Sequence, residues 1–398
     1  MTQVNVALLQ VENRSERLGG AAVDAHQIAH GGATIAVGPT GGGTAQGSGQ
    51  SDERLVLHGE ILAGKGPVGS YDLDMSVVPI FPKVKMGAGM YESFYLRAVS
   101  PEEPLGVWIR YTVHKRPGQA GQGSIWCTVF DARRGAPFMH KHTSAELEAP
   151  SGSWIAIGGD SRLGPGNAEG VCGPARWSLR FEAEAPELRH LAQGWLYKAP
   201  LPRTKLTSPA PAAKFSGTVE LPDRALHLDG WRGMVGHNWG SEHAERWIWL
   251  HGIGFAEDPS AWLDVALGRV LVAGRLTPWL ASGAISWGGR VRRLGGLGAR
   301  GLKVAESVAR CSLSIPGEAG LTVEAHVDAP PGASAGWRYA DPDGGEHDVV
   351  NCSVAALGLN MRPRGEAART LHTPHGAAYE LGMVERDHGV ELAPFPDG

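Results

Sequence analysis

Residues 108–131 read WIRYTVHKRPGQAGQGSIWCTVFD, and this stretch decides the fold class. Its two ends, Trp108–Lys115 and Ser124–Asp131, are rich in β-branched and aromatic residues, and the segment between them is rich in Gly and Gln. Two such runs around a turn-rich segment are typical of a β-hairpin. Similar runs recur along the chain at Leu55–Ile61, Gly69–Val77, Met90–Val99, Gly152–Ile157, Trp177–Glu184, Gly194–Lys198, Phe215–Leu221, Trp231–Trp239, Trp247–Phe255, Ala261–Leu267, Leu271–Gly274, Leu321–Val327, Asp348–Leu359 and Gly376–Glu385. We therefore predict an all-β sandwich or barrel, with at most a turn or two of helix at Lys303–Arg310.

The composition agrees with β-structure. Gly accounts for 57 of 398 residues, and the 13 Trp outnumber both the 8 Phe and the 7 Tyr. Gly supplies the positive-φ positions of tight turns, and Trp supplies a large apolar surface with one N–H donor. The net charge of −4 offers no basic face for nucleic acid or for an anionic membrane, so we expect neither as a partner.

The cysteines and the N-terminus indicate a compartment. Cys127, Cys172, Cys311 and Cys352 are scattered without a CxxC pair, so we expect buried, reduced thiols. The first residues lack the basic and apolar regions of a signal peptide, and no apolar run is long enough to span a membrane. We predict a soluble, cytoplasmic protein.

The length predicts two domains. Residues 31–50 are of low complexity, so we expect residues 1–52 to be a disordered, Gly-rich extension without a function. A Pro-rich segment interrupts the series of strands, and we place a linker at 201–213. The N-terminal domain is then 53–200 and the C-terminal domain 214–398.

Residues 230–252, GWRGMVGHNWGSEHAERWIWLHG, contain four Trp and three His. We interpret Met234–Trp239 and Arg246–Phe255 as a hairpin, with Glu242 and His243 in the connecting loop at the rim. Strand alternation places the aromatic and His side chains of each strand on one face, and Asn238 on the opposite face. If both faces point inward, a single cavity receives His237, Trp239, Trp247, Trp249 and His251, next to Trp231. The alternative is ordinary barrel core with hydrogen-bonded histidines.

A second candidate segment is 87–97, GAGMYESFYLR. Alternation places Tyr91, Ser93 and Tyr95 on one face, where the hydroxyl groups can bind a ligand. Glu92 lies on the other face and is a candidate acid. The alternative is an aromatic core with a solvated Glu92.

Two further motifs bear on a metal site and on a dinucleotide site. His237, Glu242, His243 and His251 are ligand types for Zn²⁺, but they lack the spacing of a metal motif, so we predict no metal. The GxGxxG match at Gly296–Gly301 has no strand before it and no helix after it, so we predict no dinucleotide and no other cofactor.

The GHxWG and WxW motifs at 236–249 resemble the hydroxyneurosporene synthase (carotenoid hydratase) family and its AttH-like relatives. The chain is more distantly similar to tocopherol cyclases and to lipocalin-like Diels–Alderases. Tyr91–Ser93, the strand WIRYTVHK and the ending YELG at 379–382 carry the same resemblance. It implies two tandem lipocalin-like (calycin) antiparallel β-barrels, with an apolar pocket for an isoprenoid or polyketide-like ligand.

One position departs from the family. Many relatives have Asp before the motif histidine, whereas this chain has Gly236. Hydration or cyclisation of an alkene needs a neutral acid and aromatic faces that stabilise a cation. Here the candidate proton handlers are His237, Glu242 and Glu92. The candidate ligand contacts are Trp239, Trp247, Trp249, His251, Asn238, Tyr91, Tyr95 and Trp231.

Three functions are therefore open. The first is an enzyme, a lyase (hydratase) or an isomerase or cyclase, that acts on a hydrophobic small molecule. The second is a non-catalytic carrier or sensor of a lipophile, which the missing Asp favours. The third is a structural or interaction protein in which the Trp cluster is core.

Overall fold

The computed structural model describes residues 77–395 of the chain. The predicted extension 1–52 and the predicted strand Leu55–Ile61 lie outside the described residues, as does all but the last residue of Gly69–Val77. The described residues belong to one unit, Ser70–Gly398.

Residues 77–395 form 24 strands and three short 3-10 turns, and they contain no α-helix. The turns are Phe81–Lys83, Gly194–Tyr197 and Glu318–Gly320. The first twelve strands are β1 Met90–Val99, β2 Leu105–Lys115, β3 Gln122–Asp131, β4 Phe138–Ser144, β5 Leu147–Glu148, β6 Ile155–Ile157, β7 Ser161–Gly164, β8 Asn167–Cys172, β9 Ala175–Ala183, β10 Leu188–Arg189, β11 Thr204–Glu220 and β12 Ala225–Gly240. The others are β13 Arg246–Ile253, β14 Trp262–Arg269, β15 Leu271–Val272, β16 Arg275–Leu276, β17 Leu280–Trp287, β18 Arg290–Gly295, β19 Lys303–Glu306, β20 Arg310–Pro316, β21 Thr322–Asp328, β22 Ala335–Ala340, β23 Glu346–Arg362 and β24 Arg369–Met383.

Strands β1 to β12 form one antiparallel sheet in the order β4-β3-β2-β1-β12-β11-β9-β8-β7-β6-β5, with β10 beside β11. The sheet curls until its two ends meet. The thiol of Cys172, which ends β8, donates to the carbonyl oxygens of Ile125 in β3 (3.3 Å) and His140 in β4 (3.3 Å). The first sheet is therefore a nearly closed barrel.

The second sheet is a half-barrel in the order β18-β17-β14-β13-β24-β23-β21-β20-β19, with β22 beside β23. Strands β15 and β16 pair separately. The prediction of an all-β fold made of two antiparallel barrels is confirmed.

Strands β1, β2 and β3 are buried on both faces, and this joins the two sheets. Alternate side chains point to opposite faces of a strand. Phe94 and Leu96 of β1 therefore pack inside the barrel, whereas Val99 of β1, Trp108 of β2 and Trp126 of β3 join the core of the second sheet. These three strands thus contribute to two hydrophobic cores.

The segment predicted to be a linker is largely strand. β11 begins at Thr204 and pairs with β9 and β12 within the first sheet. Pro lacks an N–H for the ladder, but β-bulges tolerate it. The register between β11 and β12 shifts on either side of Ala210, where Pro209 and Pro211 stand. The chain changes sheet later than predicted, at residues 241–245.

The predicted hairpin of Met234–Trp239 and Arg246–Phe255 is wrong. β12 pairs with β1 and β11, whereas β13 pairs with β14 and β24, so the two segments lie in different sheets. Alternation assigns side chains to the faces of a strand but does not identify the partner strand.

Two smaller predictions also differ from the structure. Gly194–Tyr197 is a 3-10 turn rather than a strand, and Lys303–Glu306 is a strand rather than a helical turn. In contrast, all four cysteines are free and buried, as predicted. Residues 77–395 contain no helix long and apolar enough to cross a membrane.

Candidate functional site

The pairing of β1 with β12 sorts the predicted site residues onto two faces of one sheet. Glu92 lies opposite Trp239 and Phe94 opposite His237; these four side chains form what we name the barrel face. Ser93 lies opposite Asn238 and Tyr95 opposite Gly236; with Tyr91 these form the inter-sheet face, which looks toward the second sheet. The predicted single cavity is therefore divided by the sheet itself.

On the barrel face, Glu92 and His237 form a buried pair. The imidazole Nε2 lies 2.7 Å from Oε1 of Glu92. The same carboxylate accepts hydrogen bonds from the backbone N–H groups of Ile80 (2.9 Å) and Phe81 (2.7 Å). The His237 ring stacks on Phe94, with ring centroids 4.3 Å apart. Both carboxylate oxygens of Glu92 are thus hydrogen-bonded to protein donors.

The imidazole of His237 has a second ring nitrogen in a different situation. Trp239 stacks on the ring at 4.6 Å. Nδ1 has no hydrogen-bond partner among residues 77–395, although the side chain is only 4% exposed. A ring held at Nε2 by a carboxylate, with Nδ1 unused, is the arrangement of an oriented general base.

On the inter-sheet face, the hydroxyl group of Tyr95 has no hydrogen-bond partner in the described part of the chain. The ring packs edge-on against Trp249 of β13, with centroids 5.4 Å apart. Burial, with the charges of Asp264 and Glu380 nearby, raises the pKa of Tyr95 well above its usual value, so the phenol stays protonated. Oδ1 of Asn238, on the same face, is also buried without a partner. This face therefore holds unused polar atoms among indoles.

Gly236 is required by the position of Tyr95. A Cβ atom at residue 236 would lie 2.2 Å from Cζ and 2.5 Å from the hydroxyl oxygen of Tyr95. The phenol thus fills the space that a side chain at 236 would need.

The second sheet faces Tyr95 with a carboxylate that several donors hold. Glu380 of β24 accepts hydrogen bonds from Trp247 Nε1 (3.0 Å), Asn351 Nδ2 (3.2 Å) and the Tyr339 hydroxyl (3.4 Å). The guanidinium of Arg110 lies 4.1 Å from the centroid of the Tyr339 ring, and its Nε donates to Ser93 Oγ at 2.5 Å. Trp247 and Trp249 are therefore placed by hydrogen bonds as well as by packing.

His251 lies deeper between the sheets, where both of its ring nitrogens are used. Nε2 donates to the carbonyl oxygen of Pro211 (2.9 Å), and Nδ1 accepts from Arg97 (2.9 Å). Arg97 also donates to the carbonyl oxygens of Ser353 and Gly376 across the interface. Burial and the charge of Arg97 lower the pKa of His251 to about 4. This predicted ligand contact is therefore a neutral residue that ties the sheets together.

Asp264 is a buried acid that the sequence interpretation missed. It accepts from Trp249 Nε1 (3.1 Å) and Ser208 Oγ (2.5 Å), and His190 Nε2 lies 3.3 Å away. Burial raises the pKa of Asp264, but His190, His251 and the hydrogen bond from Ser208 together outweigh that effect and hold the pKa below its usual range. A signal was present, because Asp264 interrupts the apolar run AWLDVAL at 261–267.

The remaining predicted residues lie apart from these groups. Glu242 forms an ion pair with Arg203 at the surface. Trp231 packs in the core of the first barrel. Tyr91 is buried on the inter-sheet face, and its hydroxyl group lies 2.7 Å from Thr204 Oγ1.

Two cavities of the described residues lie elsewhere. One, of about 1210 Å³, is lined by residues that include Pro137, Val308 and Phe395. The other, of about 630 Å³, is lined by residues that include Phe81 and Leu147. Neither is lined by a predicted site residue.

The chain is 24% identical over 287 residues to an uncharacterized protein of Mycobacterium tuberculosis (strains CDC 1551 / Oshkosh and H37Rv). The aligned region covers 71% of this chain and 84% of the relative. The structure of CghA with Sch210972 superposes with a TM-score of 0.53 at 11% identity, over 74% of this chain and 88% of CghA. An AttH-type protein from Nitrosomonas europaea gives a TM-score of 0.47 at 12% identity, over 77% of this chain and 99% of that one. No protein-family model matches the chain. The likeness to CghA concerns the fold alone, and the resemblance to hydroxyneurosporene synthases stays a prediction.

Proposed function

We propose that this protein binds a hydrophobic, oxygen-bearing small molecule at the inter-sheet face and promotes its isomerisation or cyclisation. The observation that carries the proposal is the unpartnered hydroxyl group of Tyr95, held against Trp249 and over Gly236. Next to it, Oδ1 of Asn238 is buried without a partner, and buried polar groups are normally hydrogen-bonded, so this face favours a ligand as the partner of both groups. The fold is shared with CghA, which was crystallised with the small molecule Sch210972.

The chemistry of Tyr95 favours one reaction type over another. A phenol whose pKa is raised is a poor acid for protonating an alkene, but it is a good hydrogen-bond donor to a carbonyl or an enolate oxygen. Trp247 and Trp249 supply flat apolar surface for the rest of the molecule. A polyketide-like ligand with a carbonyl group therefore suits this face better than a pure hydrocarbon.

One end of this face is partly exposed. Asn238 and Trp247 are partly exposed there, whereas Tyr95 is 7% exposed. We expect a ligand to approach Tyr95 from that end.

The pair Glu92–His237 supports a second candidate. His237, held by Glu92 and with Nδ1 unused, is a candidate base for a ligand inside the first barrel, whereas Glu242 lies apart in an ion pair with Arg203. Because the β1–β12 sheet separates the two faces, a single ligand contacts only one of them. A carrier without catalysis is the third candidate, and it requires that the ligand leave unchanged.

The test uses full-length protein from its native host and matched variants on the two faces. Tyr95→Phe keeps the ring and its contact with Trp249, and His237→Gln keeps a polar side chain on the barrel face. Mass spectrometry of the organic extract identifies the bound molecule, which is then supplied to each variant. We expect Tyr95→Phe to lower turnover by about 100-fold and His237→Gln to leave it unchanged.

The opposite result assigns the chemistry to the barrel face and ends the first proposal. An extract whose ligand is returned unchanged by the wild type supports the carrier. Delipidated protein that binds neither this molecule nor an apolar probe contradicts both proposals and favours a structural role.

A further inference from the structure

Three ligand-type side chains converge beside the end of the inter-sheet face. His243 follows β12 in the 241–245 connection, Asp341 follows β22, and His347 lies in β23. One ligand atom from each residue lies within 4.8 Å of the others. Of the four candidate metal ligands in the sequence, His243 is the one in this group; His237, Glu242 and His251 are paired elsewhere.

The carboxylate of Asp341 is at the centre of the group. Oδ1 accepts from the backbone N–H of His243 (2.9 Å) and lies 2.6 Å from Nδ1 of the same residue. Oδ2 lies 3.8 Å from Nδ1 of His347, which is too long for a hydrogen bond. The backbone contact fixes the carboxylate, while Oδ2 stays available for another ligand.

Two ring nitrogens in the group are buried and unused. Nε2 of His243 and Nδ1 of His347 have no hydrogen-bond partner in residues 77–395. His347 is only 5% exposed, and its unused nitrogen points to Asp341. Buried polar atoms without partners are rare in folded proteins, so a bound ion is an ordinary explanation for the unused Nδ1 of His347.

The surroundings hold the first histidine in place. The ring of His243 stacks on Tyr91, with centroids 4.0 Å apart and planes 10° apart, and Trp247 lies on it at 5.3 Å. Such aromatic packing fixes the ring orientation, which metal sites need from their ligands.

We propose that His243, Asp341 and His347 bind a divalent first-row transition metal such as Zn²⁺. Two imidazoles and one carboxylate give three ligands from the protein, which leaves one coordination position open. The ion takes the place of the proton shared by His243 Nδ1 and Asp341 Oδ1, and that proton leaves to solvent. Trp247 stacks on the ring of His243, so the three residues adjoin the partly exposed end of the inter-sheet face.

The competing explanation is a hydrogen-bonded network that needs no ion. It accounts for the pair His243–Asp341 but leaves the unused Nδ1 of His347 unexplained. It predicts that Zn²⁺ binds no better to the wild type than to a protein with one of the three residues removed. The two explanations are therefore separated by metal binding alone, without an assay of activity.

The experiment measures Zn²⁺ binding to the chelator-treated, full-length protein by calorimetry. Asp341→Asn and His347→Gln remove ligands, and His326→Gln removes an exposed histidine of β21 as the matched control. We expect one Zn²⁺ per wild-type chain and per His326→Gln chain, with at least about 100-fold weaker binding in the two ligand variants. Equal binding by all four proteins, or none by the wild type, overturns the proposal.

A second variant covers the case in which the ligand variants do not fold. His347→Cys replaces an imidazole with a thiolate, which also binds Co²⁺. With Co²⁺ as the probe, we expect a thiolate-to-cobalt charge-transfer band that the wild type lacks, since its own cysteines are buried away from this group. Folded His347→Cys protein without that band contradicts the site.

Discussion

The two faces of the β1–β12 ribbon carry similar residues but satisfy them differently. On the barrel face, the carboxylate of Glu92 has three protein donors, from His237, Ile80 and Phe81, and Nδ1 of His237 is the unused atom among the described residues. On the inter-sheet face, the hydroxyl group of Tyr95 has none among the described residues, and Asn238 Oδ1 is unpaired. Polar groups that are hydrogen-bonded within the protein stabilise the fold, whereas buried polar groups without a partner are candidates for binding a ligand. This contrast, more than the number of aromatic residues, separates structural from functional candidates.

The largest loss of stability is expected from Asp264→Leu. The substitution leaves Trp249 Nε1, Ser208 and His190 without their shared acceptor in the buried interface. We expect about 3–5 kcal/mol of destabilisation in urea unfolding. Asp328→Leu, which removes an exposed partner of Arg310, is the control and should change stability by less than about 1 kcal/mol. Equal losses of stability in the two variants would mean that the hydrogen bonds of Asp264 do not stabilise the contact between the sheets.

The second effect is a dependence of stability on pH. The folded-state pKa of His251 is about 4, below its usual 6.5, so between these values the unfolded chain binds the extra proton. Its contribution is complete above pH 6.5 and is lost as the pH falls toward 4, by up to about 3 kcal/mol. Urea unfolding at several pH values checks the slope, which His251→Gln should reduce. An unchanged slope in that variant contradicts the assignment.

A smaller loss is expected on the barrel face from Glu92→Gln. The neutral amide keeps one acceptor oxygen but loses the charge that holds His237 and the N–H groups of Ile80 and Phe81. We expect about 1–3 kcal/mol of destabilisation, with ligand turnover retained. Glu103→Gln, at an exposed ion pair, serves as the control. Full stability with lost turnover would move the active face into the barrel.

The smallest change in stability is expected from Tyr95→Phe. The hydroxyl group makes no hydrogen bond within the described residues, so its removal should alter the free energy of unfolding by less than about 0.5 kcal/mol. Thermal unfolding of the ligand-free protein measures this. A loss near 2 kcal/mol would show that the hydroxyl group has a structural partner, and the contrast between the faces would fail.

Alternation predicted the faces of this ribbon correctly. Tyr91, Ser93 and Tyr95 do share one face, with Glu92 and Phe94 on the other, because the period of two is a local property of the backbone. The same rule placed His237 and Trp239 together. What it did not reveal was that each face meets a different core.

Long-range pairing could not be predicted in the same way. Trp249 and His251 were grouped with His237 through an assumed hairpin, whereas their strand pairs with β14 and β24. The acid Glu380 and the cation Arg97 come from distant strands, and only the fold brings them to Trp247 and His251. Pro209 and Pro211 suggested a linker because bulges that accept proline have no clear mark in a single sequence.

The double burial of β1 to β3 also bears on modularity. A fragment that ended at Gly240 would keep the whole first sheet but would present Val99, Trp108 and Trp126 to water. Such an apolar surface favours aggregation of the isolated half. The two barrels are therefore not interchangeable modules. A chimera that exchanges one of them must also keep the residues on the face of β1 to β3 that packs against it.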